Sequence, residues 1–150
     1  GAAQRYPSSM NLRQHVEEIE VAVAGQGLHE ITPEVRRVVE RSGIATGLAT
    51  VFLRHTSASL VIQENADPSA RRDLEAFFRR LVPEGDPLYT HTTEGPDDMP
   101  AHVKAAITRT SEQIPVVDGR PALGTWQGLF LWEHRRHRSS RQLTVHVLGE

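Results

Sequence analysis

Three helix-start signatures punctuate the 150-residue chain, and they constrain its architecture more than any other feature. Thr32-Pro33-Glu34, Asp67-Pro68 and Asp97-Asp98-Met99-Pro100 each place a capping-type side chain just before a first-turn proline, which lacks an N–H and has φ preset for a helix. Around them lie short runs with period-2 alternation. Val16 to Val23 reads as a strand, and Gly25-Gln26-Gly27 as a turn to a return strand at 28–31, giving an opening hairpin. Residues 33–42 are predicted helical with Thr32 as cap, Gly43 as stop and Val35, Val38 and Val39 facing inward.

The β-rich segments 48–54 and 59–64 flank a polar tetrad, His55-Thr56-Ser57-Ala58, and are read as adjacent strands joined through it. In the second, Leu60, Ile62 and Glu64 share a face, so a carboxylate ends an apolar row. After Asp67-Pro68, Leu74, Phe77, Phe78 and Leu81 fall at the spacing of one buried helical stripe. Residues 82–96 lack periodicity and form an exposed loop; a third helix follows, with Met99, Val103, Ala106 and Ile107 as its apolar side. Residues 114–117 turn at Asp118-Gly119 and return to Leu123, and 126–133 and 142–148 are two further strands. Strand pairs interrupted by single helices predict an α+β fold with mainly antiparallel β-sheets and about three helices.

Composition narrows the function classes. Seventeen basic against nineteen acidic residues give a net charge of −2, which argues against a nucleic-acid or anionic-membrane surface. No apolar run is long enough for a spanning helix or a secretion signal, so a cytoplasmic location is expected. The absence of cysteine removes disulfides, thiolate metal sites and cysteine nucleophiles together. Residues 1–9 are small, polar and aperiodic and read as a cleavage scar with a frayed end, leaving 10–150 as one domain.

Chemistry must therefore use histidine, carboxylate, hydroxyl, amide and arginine, and three constellations supply them. The first is His55-Thr56-Ser57-Ala58-Ser59, whose hydroxyls and turn N–H groups suit an oxyanion or phosphate, the competing reading being a turn of small polar residues that satisfy their own backbone. The second runs from His91 to His102. With a helix starting near Asp98, Asp98 and His102 project from one face and His91 reaches them from the loop, as an acid/base set or a divalent-metal site. Its spacing matches no closed zinc motif, and helix capping by the aspartates is the competing reading. The third is 124–133, where alternation puts Gln127, Leu129, Leu131 and Glu133 on one face and Trp126, Phe130 and Trp132 on the other, the tryptophans serving core or subunit packing. Glu133, like Glu64, needs a partner if it faces inward. The following run, 133–141, offers Arg135, Arg138 or Arg141 as phosphate forks, or is a solvated hairpin tip.

Taken together, H-T-S-A-S-L…E-N-x-D-P, Y-x-H-x-x-E-G-P-D-D-M-P-x-H, I-P-V-x-D-G-R…L-G-T-W-Q-G…W-E-H-R and the closing R…L-G-E resemble the YjbQ-like family, an uncharacterised family later named secondary thiamine-phosphate synthase enzyme. The resemblance runs from about Val16 to Glu150. It implies an α+β domain assembling as a homotrimer, a polar pocket formed by the histidine-bearing segments, and a modest capacity to join a pyrimidine-methyl pyrophosphate to a thiazole phosphate with release of pyrophosphate. It places the family's motif residues on His55, Thr56, Ser57, Ala58, Glu64, His91, His102, Trp126, Gln127 and Glu133.

Such a reaction needs its leaving pyrophosphate neutralised. Mg²⁺ held by Asp98 or Glu64 would do so, with phosphate contacts from Thr56, Ser57 and Arg141, substrate contact from Gln127, and acid/base work or metal ligation by His55, His91 and His102. Glu64, Asp98 and Glu133 complete the catalytic candidates. The alternatives are a metal-dependent hydrolase of a small phosphorylated or acylated metabolite, and a non-enzymatic trimeric module that binds an anionic metabolite.

Overall fold

The computed structural model describes residues 11–150, so the expected N-terminal scar lies outside the described residues. Eleven elements follow in chain order: β1 (Arg13–Val23), β2 (Gly27–Glu30), α1 (Thr32–Ser42), β3 (Gly47–Leu53), β4 (Ala58–Glu64), α2 (Pro68–Leu81), α3 (Asp98–Ala106), β5 (Ser111–Val117), β6 (Arg120–Pro121), β7 (Gln127–Glu133) and β8 (Ser139–Gly149). They form an α+β fold of two antiparallel sheets, one ordered β1-β8-β3-β5-β6 and one ordered β2-β7-β4.

The alternation read from the sequence explains how the sheets meet. In β8, Leu143, Val145 and Val147 are fully buried while Gln142 and Leu148 of the opposite face are exposed. The inner row packs with Ala49, Val51 and Leu53 of β3, Leu129 and Leu131 of β7, Leu60 of β4 and Val35, Val38 and Val39 of α1. Burying each of these valines and leucines contributes roughly 1.5–3 kcal/mol. The other face of the smaller sheet presents Leu28, Phe130 and Trp132 to Phe78 of α2, with the Phe78 and Trp132 rings stacked 4.4 Å apart. The β5–β6 hairpin turns where expected, with Asp118 and Gly119 both at positive φ.

Two pairings differ from the sequence reading. β1 and β2 form no hairpin: β1 pairs with β8, and β2 pairs with β7 in the other sheet. Likewise β3 and β4 are not neighbours, because residues 54–57 carry the chain from one sheet to the other. A polar connector is compatible with both a hairpin and a crossover, and local pattern does not distinguish them.

Helix faces differ too. Thr32 lies inside α1 rather than capping it; its hydroxyl donates to Glu30 (2.9 Å) and accepts the Leu129 N–H (2.9 Å). Asp67 does cap α2, accepting from the Ser69 N–H at 2.9 Å. On α2 only Phe78 of the proposed stripe is fully buried, and Phe77 and Leu81 are exposed. On α3 the buried side is Asp98, Pro100, Ala101, Lys104 and Ala105, while Ile107 is exposed, so the expected apolar side is turned outward. Among the described residues no helix is long and apolar enough to cross a membrane.

Candidate functional site

The crossover at 54–57, the ends of β7 and β8, and the start of α3 converge at one end of the smaller sheet. There Ala58 opens β4 opposite Glu133, the last residue of β7. The inward alternation of β7 drives Glu133 to full burial, and Arg141 near the start of β8 answers it. The guanidinium donates through Nε to Oε2 (2.7 Å) and through Nη2 to Oε1 (2.7 Å), and Ser139 Oγ donates to Oε1 (2.7 Å). Arg141 Nη2 also donates to Ser57 Oγ at 2.9 Å, which pins the crossover. Both oxygens of the carboxylate are thereby engaged, three hydrogen bonds in all, as burial of a charge demands.

Beside this closed pair lies a more open cluster. Asp98, only 2% exposed, turns Oδ2 toward His91 Nε2 (2.8 Å) and His102 Nε2 (3.2 Å). Its Oδ1 accepts from Arg135 Nη1. The placement at i and i+4 on α3, with His91 supplied by the loop, is the arrangement the spacing predicted. Arg135 also donates to Asp97 Oδ2 (3.0 Å) and to the Glu94 carbonyl (2.9 Å), and Asp97 accepts the Arg136 N–H (2.9 Å). One side chain thus ties the loop, the start of α3 and the β7–β8 connection. Burial pushes the Asp98 carboxyl upward, but the His91 hydrogen bond and the charges of Arg135 and His102 outweigh it, leaving the group below the usual carboxylate range.

The orientation of His102 is set from behind. Its Nδ1 donates to the Thr56 carbonyl at 3.0 Å, so in the neutral ring it is the Nε2 lone pair that faces Asp98. The ligating atoms of His91, Asp98 and His102 all lie within 4.8 Å of one another. His55 stands apart from this set. Its Nε2 accepts the Gln142 N–H at 2.8 Å, which commits the neutral ring to carry its proton on Nδ1. Burial, aided by the charge of Arg141, holds the His55 imidazole below its ordinary pKa.

Two cavities flank the cluster. One of about 280 Å³ is walled by Tyr89, His91, Pro96, Met99 and Pro100; the other, of about 230 Å³, by His55, Thr56, His102, Ala105, Ala106 and Thr110.

Of the residues singled out from the sequence, His55, Thr56, Ser57, His91, Asp98, His102, Glu133 and Arg141 gather at this end. Glu64 and Gln127 do not. They face each other at the opposite end of the β4–β7 ladder, six strand steps or roughly 20 Å from Glu133. Glu64 is exposed, so the inward carboxylate expected there has no burial to compensate. Gln127 Oε1 accepts from the Gly124 N–H at 2.8 Å. Trp126 lies outside β7 and is 66% exposed, packing in no core of this chain, whereas Trp132 is buried.

The run 133–141 is solvated at its tip, where Arg136, His137 and the fork candidate Arg138 are exposed, but other members turn inward. His134 is buried with Nε2 2.8 Å from Ser59 Oγ, and Arg135 and Arg141 are occupied by carboxylates. Sequence reading missed Arg135 and His134 as partners, since nothing in a run of basic residues marks which members turn inward.

Comparisons with known proteins agree with this fold. A family model described as UPF0047 protein YjbQ-like matches residues 17–150. The chain is 56% identical to UPF0047 protein sll1880 of Synechocystis over 95% of its length and 97% of that protein. It is 42% identical to UPF0047 protein YjbQ of Escherichia coli over 87% and 94% of the two chains. Among solved structures, a YbjQ-like protein of unknown function from Sulfolobus solfataricus superposes with a TM-score of 0.84 at 30% identity, covering 93% of this chain and 100% of that one. An uncharacterised yjbq/upf0047 family protein from Clostridium acetobutylicum gives 0.80 at 34% identity, covering 87% and 98%.

Proposed function

The chain belongs to the YjbQ-like UPF0047 family, and from that premise we propose that it is a divalent-metal-dependent enzyme acting on a small phosphorylated metabolite, with His91, Asp98 and His102 as the metal ligands. The observation that carries this reading is the meeting of His102 Nε2 and Asp98 Oδ2 at 3.2 Å, with Nδ1 already spent on the Thr56 carbonyl. With the ring neutral both facing atoms are acceptors, and acceptors at that distance repel unless a cation or a shared proton lies between them. Imidazole and carboxylate ligands suit zinc and other first-row ions, and three protein ligands with room beside them match catalytic rather than structural sites. A metal held there by His91, Asp98 and His102 would lower the pKa of a bound water and act as a Lewis acid toward a phosphoryl group.

The chain's own residues do the rest. Arg135 and the Thr56 carbonyl orient two of the ligands, as outer partners of metal sites commonly do. Neutral His55 offers Nδ1–H as a donor beside the smaller cavity. Cavities of about 280 and 230 Å³ suit small metabolites rather than polymers.

Hydrolysis of a single substrate is the better-supported chemistry. Arg135 and Arg141, the natural forks for a leaving pyrophosphate, are occupied by Asp97, Asp98 and Glu133. A second reading, thiamine-phosphate formation with Mg²⁺ on the pyrophosphate, is favoured by the two flanking cavities, each of a size for one ring. Thr56 and Ser57 are the hydroxyls nearest that chemistry, and Gln127 of the same subunit takes no part in either reading.

Metal analysis of untagged protein tests the premise: stoichiometric zinc, manganese, iron or nickel, lost in Asp98→Asn and His102→Ala, is expected. No tight metal in wild type or after reconstitution overturns it. Chelator-sensitive turnover of single phosphate esters supports the hydrolase, and product only with both the pyrimidine pyrophosphate and the thiazole phosphate supports the synthase. A homotrimer also belongs to this proposal, supported by the exposed Val16, Leu48, Phe52, Val117 and Leu148 on the outer face of the larger sheet; light scattering at a monomer mass would remove it.

A further inference from the structure

β3 stops pairing with β8 at Leu53, where the chain leaves for the other sheet. One further rung is half made, since the Arg54 N–H donates to the Gln142 carbonyl at 3.1 Å. In an antiparallel pair that exchanges both bonds, the Gln142 N–H would return to the Arg54 carbonyl. It goes instead to His55 Nε2 at 2.8 Å, so the imidazole stands in for the strand that has turned away.

A backbone N–H can only donate. Nε2 must therefore present its lone pair, and the ring proton lies on Nδ1. The neutral ring has no other lone pair, so the Gln142 contact removes metal ligation and base catalysis by His55 alike. Acid catalysis would need an imidazolium, whose second proton would lie between two nitrogens that both donate. Burial, with the charges of Arg141 and Arg54 outweighing that of Glu133, disfavours the imidazolium as well.

What the ring keeps is its Nδ1–H. Among the described residues this group meets no acceptor, and it is not sealed from solvent, so a ligand can reach it. The ring lines the cavity of about 230 Å³ together with the hydroxyl-bearing Thr56 and Thr110, and no carboxylate stands in that wall. The other flanking cavity has the carboxylate of Asp86, the apolar Pro96 and Met99, and neither arginine nor lysine. A phosphoryl group gains hydrogen bonds in the first and meets a like charge in the second.

Resting on the phosphorylated-metabolite reading above, we infer that the smaller cavity is the phosphoryl subsite and that His55 serves it as a donor-only contact, neither ligating metal nor transferring a proton. This replaces the acid/base or ligand role expected for His55 from the sequence.

The first test is nitrogen-detected magnetic resonance of the His55 ring in the wild-type chain at about pH 7, with and without zinc. The neutral Nδ1–H form is expected, and the Nδ1 resonance should move saturably as inorganic phosphate is added at fixed ionic strength. An Nε2–H form, an imidazolium, or a resonance unmoved by phosphate in both states overturns the assignment. The second test is a pair of substitutions. His55→Asn keeps an N–H where Nδ1 stands, whereas His55→Gln keeps an acceptor for the Gln142 N–H and lacks that donor. Turnover of p-nitrophenyl phosphate should fall about 100-fold or more in His55→Gln, and by about tenfold less than that in His55→Asn. Both variants should bind zinc in the wild-type ratio. Equal losses, a Gln variant more active than the Asn variant, or loss of zinc from either overturns the donor role. A wild type that binds no zinc and cleaves no ester would sink the metalloenzyme reading separately, leaving the phosphate contact to be decided by the resonance.

Discussion

The two ends of β7 carry polar groups of similar kind and treat them in opposite ways. At the Glu133 end a carboxylate is fully buried, gripped by Arg141 and Ser139, and bordered by a second buried acid, Asp98, with Arg135 on one oxygen and two imidazoles on the other. At the Gln127 end, Glu64 and Gln127 are exposed and engage little beyond their own turn. The difference teaches where chemistry can reside. Buried charges fix geometry only when every partner is present, whereas solvated ones leave orientation to water. Within the first end a further contrast holds: Glu133 is held on both oxygens by an arginine and a serine, while Asp98 Oδ2 meets only imidazoles at the edge of solvent.

The largest expected effect separates the two ends. Arg141→Met strands the buried Glu133 carboxylate and should cost about 3–5 kcal/mol in urea unfolding, and adding Glu133→Leu should recover part of that loss. If Arg141→Met were as mild as a change at Gln127, the claim of a closed, protein-satisfied pair would fail.

The next concerns His134, behind the same end. Burial, with the charges of Lys104 and Arg141, depresses its pKa to about 3. The unfolded chain therefore binds a proton that the native state refuses between about pH 3 and the ordinary histidine value. Stability should rise with pH across that window, by roughly 2 kcal/mol between pH 5 and 6.5, and this contribution should be flat above it. Unfolding of His134→Gln across the same range should show a shallower slope; an unchanged slope would assign the dependence to other groups.

Smaller again, Arg135→Met should lower metal affinity about 10–100-fold by freeing Asp98, with both ligand imidazoles retained. Isothermal titration with zinc measures it, and unaltered affinity would mean that Arg135 serves the fold alone. Smallest, Glu64→Gln and Gln127→Ala should each change stability by no more than about 0.5 kcal/mol and leave metal binding untouched. A loss of activity in Gln127→Ala with metal binding intact would sharpen the comparison differently, by showing that a neighbouring copy brings the far end to the site.

Much of this protein is legible from short-range pattern. The Asp67 cap, the valine face of α1, the Asp118-Gly119 turn and the inward row Leu129, Leu131, Glu133 all rest on local φ/ψ preferences or on periods of 2 and 3.6 residues. So does the Asp98–His102 pair, because four residues on a helix return to the same face. Errors arise where the partner lies far along the chain. Phe77 and Leu81 fit an apolar stripe, but α2 rests on a narrow three-stranded sheet that accommodates Phe78 and leaves them outside. On α3 the sequence favours Met99, Val103 and Ile107, yet the buried side includes Asp98 and Lys104, since ionic partners and the sheet beneath decide which side is covered.

By itself, then, the sequence determined the helices and strands, the family, and the residue types from which a site can be made, because these depend on neighbours within a turn or two. Only the tertiary structure decided that β3 and β4 belong to different sheets, that Arg135 and Arg141 spend their charge on Asp98 and Glu133, and that Glu64 and Gln127 stand roughly 20 Å along the ladder from Glu133. The physical reason is that strand pairing and the burial of charge are settled between groups distant in the chain, whose encounter depends on the whole core rather than on any local preference.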